Sequence, residues 1–326
     1  DEVNCQYTLI MFLSFTLIGT MIGLYIYPRT PSVFLSISSE ILMHIQHFFD
    51  QETGTLTYIV SDAATQHCAI IDSVLNYDMS AGKTYTRSAD ELISYVRNND
   101  LIVEWILETH AHADHLSAAA YLKESLGGKI AIGEHIRQVL DYWVPIFDTA
   151  KDTPLDGSQF DHLLIEGEVF YIGKLPVKVL VTPGHTPDCV SYYIQDAVFV
   201  GDTLFMPSVG TARTDFPGGS AEQSYDSIQK ILSLPGETRI FTCHDYPPEG
   251  TPPAFMSTVN EQKKQNQMIR DGISRSAYVL ARNKKDENNS VPRLLLPSIQ
   301  VNLRAGQFGV LSDNGVQYIK IPLNKM

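Results

Sequence analysis

An apolar run, LIVEWILETH (101–110), ends on a histidine and leads into AHADHLSAAAYLKESLGG (111–128) and then KIAIG (129–133). The run has the length and branched, aromatic content of a strand. The alanine-rich stretch reads as a helix over 116–128, closed by Gly127 or Gly128. A second short strand follows. Residues 101–133 are therefore strand–loop–helix–strand, a unit that requires a sheet with a helix packed on its face. The loop carries His110-x-His112-x-Asp114-His115, three of the chain's 10 histidines. Residues two apart in an extended loop point the same way, so His110 and His112 face one point, and Asp114 and His115 turn toward a neighbouring one. Imidazole is the commonest metal-ligating side chain. A strand end is where a rigid sheet presents such ligands.

Three further pieces have the same form. TPGHTPD (182–188) sets His185 at a strand end in a Gly/Pro turn. VFVGDTLF (198–205) sets Asp202 after a buried strand, with Gly201 permitting close backbone approach. FTCHDY (241–246) sets His244 at another strand exit. One such residue alone is weak, but the ordered set is specific.

The rest of the chain alternates the same elements. TGTLTYIVSD (53–62) and CAIIDSV (68–74) read as strands, and SADELISYVRNND (88–100) as a helix capped by Ser88. A helix is expected near EHIRQVLDYW, and strands at HLLIEGEVFYIG, LPVKVLVTPGH, CVSYYIQD and AVFVGDTLF. SAEQSYDSIQKILSLP (220–235) is a helix. After 256 come helices, a polar linker at 284–290 and a tail. Strand-rich halves with helices between them imply sheets sandwiched by helices.

The net charge of −13 repels phosphate backbones and argues against nucleic-acid binding. Cys5, Cys68, Cys189 and Cys243 form no C-x-x-C pair, so separate reduced thiols in a cytoplasmic setting are the simplest reading. Cys189 and Cys243 flank motif histidines, and packing is the simpler role for both. His44, His47, His67, His135 and His162 lie outside the motifs. Residues 7–28 are uncharged and long enough to span a bilayer. Arg29 would then place the remainder on the cytoplasmic side. A membrane anchor and a segment foreign to the working protein both fit residues 1–42.

Over about residues 44–250 the chain resembles the metallo-β-lactamase superfamily, whose metal pattern of H-x-H-x-D-H, His, Asp and His falls on His110, His112, Asp114, His115, His185, Asp202 and His244. The resemblance implies an α/β fold, a four-layer αββα sandwich at 43–255, with a C-terminal helical extension at 256–326. Asp72 matches an early aspartate of the family that supports the loop.

Two chemistries go with this set. In one, as in glyoxalase II, two Zn(II) share Asp202: His110, His112 and His185 hold one ion, and Asp114, His115 and His244 the other. A thioester is then hydrolysed. In the other, as in the persulfide dioxygenases, one Fe(II) per chain is held by His110, His185 and Asp202. There His112, Asp114, His115 and His244 orient the ligands. TPGHTPDC, GDTLF, CHDY and above all ARTDFPGGSAEQSYDSIQKILSLP resemble the dioxygenases, whereas glyoxalase II tends to have Gly-Arg-Phe where this chain has Arg-Thr-Asp-Phe (213–216). This resemblance implies oxidation of glutathione persulfide by O2 to sulfite, in a homo-oligomer. It makes Arg213 and Tyr246 the candidates for binding glutathione. A metal-dependent binding module without catalysis has less need of all seven residues. A nuclease of the superfamily would carry a basic domain that this chain lacks.

Overall fold

The computed structural model describes residues 42–325. The apolar stretch at 7–28 lies outside the described residues. Among those described, no helix is long and apolar enough to cross a membrane.

The first sheet contains β1 (Met43–Asp50), β2 (Thr55–Asp62), β3 (His67–Ile71), β6 (Ile102–Leu107), β8 (Lys129–Gly133) and β9 (His162–Leu164), in that spatial order. A small third sheet joins β5 (Lys83–Tyr85), β4 (Val74–Asp78) and β7 (Leu116–Ser117). The second six-stranded sheet runs β10 (Val169–Ile172), β11 (Leu175–Val181), β12 (Val190–Ile194), β13 (Ala197–Phe199), β14 (Arg239–Phe241) and β15 (Met256–Thr258). Strands β3, β6, β8 and β9 pair in parallel, as do β13 and β14. Residues past 255 thus complete the second sheet.

The alternation of side chains along a strand builds the layers. In β2, Leu56, Tyr58 and Val60 point into the core between the sheets, while Ile59 points to the opposite face. In β13, Phe199 points inward and Val198 outward. Outside the first sheet lie α1 (Arg87–Asn98), α2 (Ala119–Leu126), α3 (Ile136–Phe147) and α7 (Leu295–Asn302), which bury Leu92, Leu122, Leu140 and Ile299 in one cluster. Outside the second lie α4 (Ala221–Leu232), α5 (Val259–Gln265) and α6 (Arg275–Asp286), which bury Ile228, Val259 and Tyr278. The order helix, sheet, sheet, helix is the αββα sandwich expected.

Several boundaries differ from the sequence reading. The strand expected over 68–74 breaks at Asp72, whose φ of 53° turns the chain between β3 and β4. Helix α1 begins after Thr86, not Ser88. The Ser88 hydroxyl instead donates to Asp50, and its amide donates to Asn76. The helix expected from 116 starts at Ala119, because Leu116 and Ser117 pair with β4. Helix α6 continues into the expected polar linker as far as Asp286, which is buried against Arg282.

Candidate metal centre

All seven motif residues meet at one edge of the two large sheets. His110 to His115 follow β6 in the first sheet. His185, Asp202 and His244 follow β11, β13 and β14 in the second. Parallel pairing of β13 with β14 brings Asp202 beside His244. An isolated bridge between Thr55 and His244 ties β2 to that exit. Gly201 adopts a φ of 51°, and a Cβ there would lie 2.4 Å from the Thr109 hydroxyl, so only glycine lets the Asp202 turn reach the histidine loop.

Each histidine uses one ring nitrogen for support and leaves the other free. His110 Nδ1 lies 3.1 Å from the Thr109 hydroxyl. His185 Nδ1 donates to the Arg213 carbonyl at 2.8 Å, and His244 Nδ1 to the Gly54 carbonyl at 3.2 Å. His115 Nδ1 is 3.4 Å from the Thr55 hydroxyl. His112 is reversed: its Nε2 faces Asp72 Oδ1 at 3.0 Å and Glu108 Oε2 at 3.4 Å. The opposite nitrogens, His110 Nε2, His112 Nδ1, His115 Nε2 and His244 Nε2, are buried without a hydrogen-bond partner, as is Asp202 Oδ1. Unpaired buried polar atoms cost free energy and are rare. Five of them converging here fit a metal centre.

The close approaches carry the same message. His244 Nε2 lies 3.1 Å from Asp114 Oδ2 and 3.4 Å from Asp202 Oδ1, and His185 Nε2 lies 3.6 Å from Asp202 Oδ2. None of the three is aligned as a hydrogen bond. Two ligands bonded at about 2.1 Å to one ion sit roughly 3.0–3.5 Å apart at octahedral to tetrahedral angles. The donor atoms of His110, His185 and Asp202 fall within 4.8 Å of one another, and so do those of His112, Asp114, His115 and His244.

Burial and neighbouring charges set the protonation of these groups differently. Burial, helped by His112 and His185, holds the His110 pKa well below its usual value, so it is a neutral donor. Burial opposes protonation of His112, but Asp72 and Glu108 outweigh it and raise its pKa well above normal. Burial opposes ionisation of Asp114, and His244 and His115 more than reverse that, keeping it a carboxylate. Cys189 and Cys243 are buried thiols whose pKa is pushed up chiefly by that burial, which fits packing.

A cavity of about 310 Å³ opens onto Asp114, His185 and Asp202. Phe205, Phe216 and Tyr246 wall it, with Arg213, Lys285 and Asn289 at its side. Tyr246 stacks parallel to His244 and is largely exposed. Arg213 lines the cavity, yet its fork is engaged: Nε and Nη2 bind Asp215 at 2.6 Å each, and Nη1 donates to the Ser290 carbonyl.

Sequence reasoning missed several supporting residues. Asp188 accepts from the Ala111 amide at 2.7 Å. The Arg282–Asp286 pair holds the Thr211 carbonyl and the Thr214 amide. Asn302, far along the chain, reaches the histidine loop. Their signals are lone polar residues in helices or turns, which no spacing rule selects.

Comparison with known proteins agrees with this geometry. The chain is 51% identical to Glyoxylase B2 of Dictyostelium discoideum over 86% of this chain and 97% of that protein. It is 47% identical to a probable metallo-hydrolase of Burkholderia pseudomallei, over 86% and 99% of the two chains. The mitochondrial persulfide dioxygenase ETHE1 of Bos taurus is 28% identical over 80% of this chain and 88% of its own. The crystal structure of ETHE1 from Myxococcus xanthus superposes with a TM-score of 0.65 at 28% identity, covering 81% of this chain and 100% of that one. The family model of the metallo-beta-lactamase superfamily matches residues 52–244, and the chain belongs to that superfamily.

Proposed function

We propose that the chain is a metal-dependent hydrolase of the glyoxalase II kind, cleaving an acyl-glutathione thioester. The observation that carries this reading is the Asp202 carboxylate, one oxygen of which faces His185 and the other His244. A carboxylate placed between two donor groups suits a pair of ions a few ångströms apart. His110, His112 and His185 would hold one, and Asp114, His115 and His244 the other. Imidazole and carboxylate donors fit zinc. Such ions supply a water acidified toward neutral pH and a polarised carbonyl. The likeness to Glyoxylase B2 and to the probable metallo-hydrolase supports the same reading. The chain's own part is placement: Phe205 and Phe216 wall the cavity beside the ions, and Arg213 and Tyr246 border the place for the thiol carrier.

A second reading is favoured by Arg213-Thr214-Asp215-Phe216 and by the 28% identity to ETHE1. His110, His185 and Asp202 form the two-histidine, one-carboxylate set that suits a single Fe(II) with open positions. His112, Asp114, His115 and His244 would then orient those ligands. Glutathione persulfide, O2 and water would yield glutathione and sulfite.

One experiment separates the two. The protein is purified without air, its metals are counted, and it is offered S-lactoylglutathione and, separately, glutathione persulfide with an oxygen electrode. Two zinc ions per chain with thioester cleavage support hydrolysis. One iron with oxygen uptake and no thioester cleavage overturns it in favour of the dioxygenase.

A further inference from the structure

The histidine loop is closed by a residue nearly two hundred positions away. Asn302 ends α7, and its side chain is buried beneath residues 112–117. Its Nδ2 donates to the His112 carbonyl at 2.8 Å and to the His115 carbonyl at 2.9 Å. Its Oδ1 accepts from the Ser117 amide at 2.7 Å. A carboxamide has two N–H donors in one plane and an acceptor beside them, and all three functions are used here. Aspartate has nearly the same shape but no donor for the two carbonyls when ionised, and alanine has neither function.

The tail that delivers this side chain is itself tied down. Gln300 holds both the amide and the carbonyl of Lys320. Arg304 pairs with Asp152, and Gln159 donates to the Leu303 carbonyl. Gly306 has a φ of 83° and comes within about a side chain's reach of α2, where a Cβ would lie 2.9 Å from the Ala120 amide. Leu295, Ile299, Val301 and Leu303 share a core cluster with Ala111, Ala113 and Leu116 of the loop region.

We propose that Asn302 is a positioning residue for the metal centre: the C-terminal segment sets the spacing of His112 and His115 by holding their carbonyls. This rests on the hydrolase reading, in which those histidines are metal ligands. The free protein therefore keeps the loop in its ligating shape, and little has to be ordered when metal enters.

The test measures metal, not turnover. Zn(II) affinity and release are followed by chelator competition in wild type, Asn302→Asp, Asn302→Ala and His110→Ala. Both Asn302 variants are expected to bind at least about tenfold more weakly, the usual size of losing a group that orients a ligand, with the circular dichroism of wild type. Wild-type affinity in a folded Asn302→Asp or Asn302→Ala overturns the proposal. Unaltered binding in His110→Ala would instead overturn the assignment of the metal ligands. Hydrogen exchange on the wild-type protein tests the clamp even where neither variant folds. The Ser117 amide is expected to stay protected with the metal stripped out, and fast exchange there overturns the clamp.

Discussion

Asp72 Oδ1 sits 3.0 Å from His112 Nε2, with both side chains buried. The same carboxylate accepts the Thr109 amide at 2.7 Å and its hydroxyl at 2.9 Å. One aspartate therefore fixes the ring of His112 and the backbone just before His110. Asp72→Asn removes the charge and keeps the shape. Metal affinity is expected to fall ten- to a hundredfold, as for other partners of ligating histidines. Competition with a chelator measures it, and a variant that binds as tightly as wild type would refute the role.

Gly201 gives a prediction about packing. A methyl group added there meets Thr109 at 2.4 Å and also forces alanine into a φ of 51°. Overpacking and left-handed strain together suggest a loss of roughly 2–4 kcal/mol for Gly201→Ala. Chemical denaturation of the metal-free protein checks this, and an unchanged midpoint would show that the turn can relax.

The tail supplies a pH dependence. Burial works against ionisation of Asp152, yet the Val310 amide and Arg304 outweigh it and hold its pKa below the usual carboxylate range. A folded pKa below the unfolded one contributes stability above the unfolded value, near pH 4, and this is lost as pH falls through the lower folded value. Thermal melts below pH 5 should therefore fall less steeply for Asp152→Asn than for wild type. Parallel curves would remove Asp152 from the acid response.

Arg213 borders the cavity while paired with Asp215. If it holds the thiol carrier's carboxylate, Arg213→Ala raises KM by roughly tenfold, about 1.4 kcal/mol, with kcat little changed. A fall in kcat at constant KM would point instead to a shifted turn, because the residue 213 carbonyl that orients His185 depends on the Arg213–Asp215 pairing for its place.

The sequence made the candidate centre legible because its candidate ligands sit at strand ends, where apolar runs stop and histidine or aspartate follows. The layers were legible too, since alternation in stretches such as Leu56–Val60 assigns each side chain to a face. What escaped reading was long-range polar support. Ser88 looks like a helix cap, but the Asp50 and Asn76 side chains draw it away. Asp286 looks like part of a polar linker, but Arg282 buries it. Asn302 is one of two amides in α7, beside Gln300, and only the folded chain shows which carbonyls it meets. The tail's contribution belongs to tertiary contacts without a local pattern.

The donors are divided between the two large sheets, four on the first and three on the second. An ion bound by both groups acts as a rivet through the seam between the halves of the sandwich. Its binding energy adds to the cohesion of the fold, because the unfolded chain offers no such site. A chelator should then lower the melting temperature while leaving each sheet's own ladder intact. The seam would open first, from the edge that carries His110 and His185.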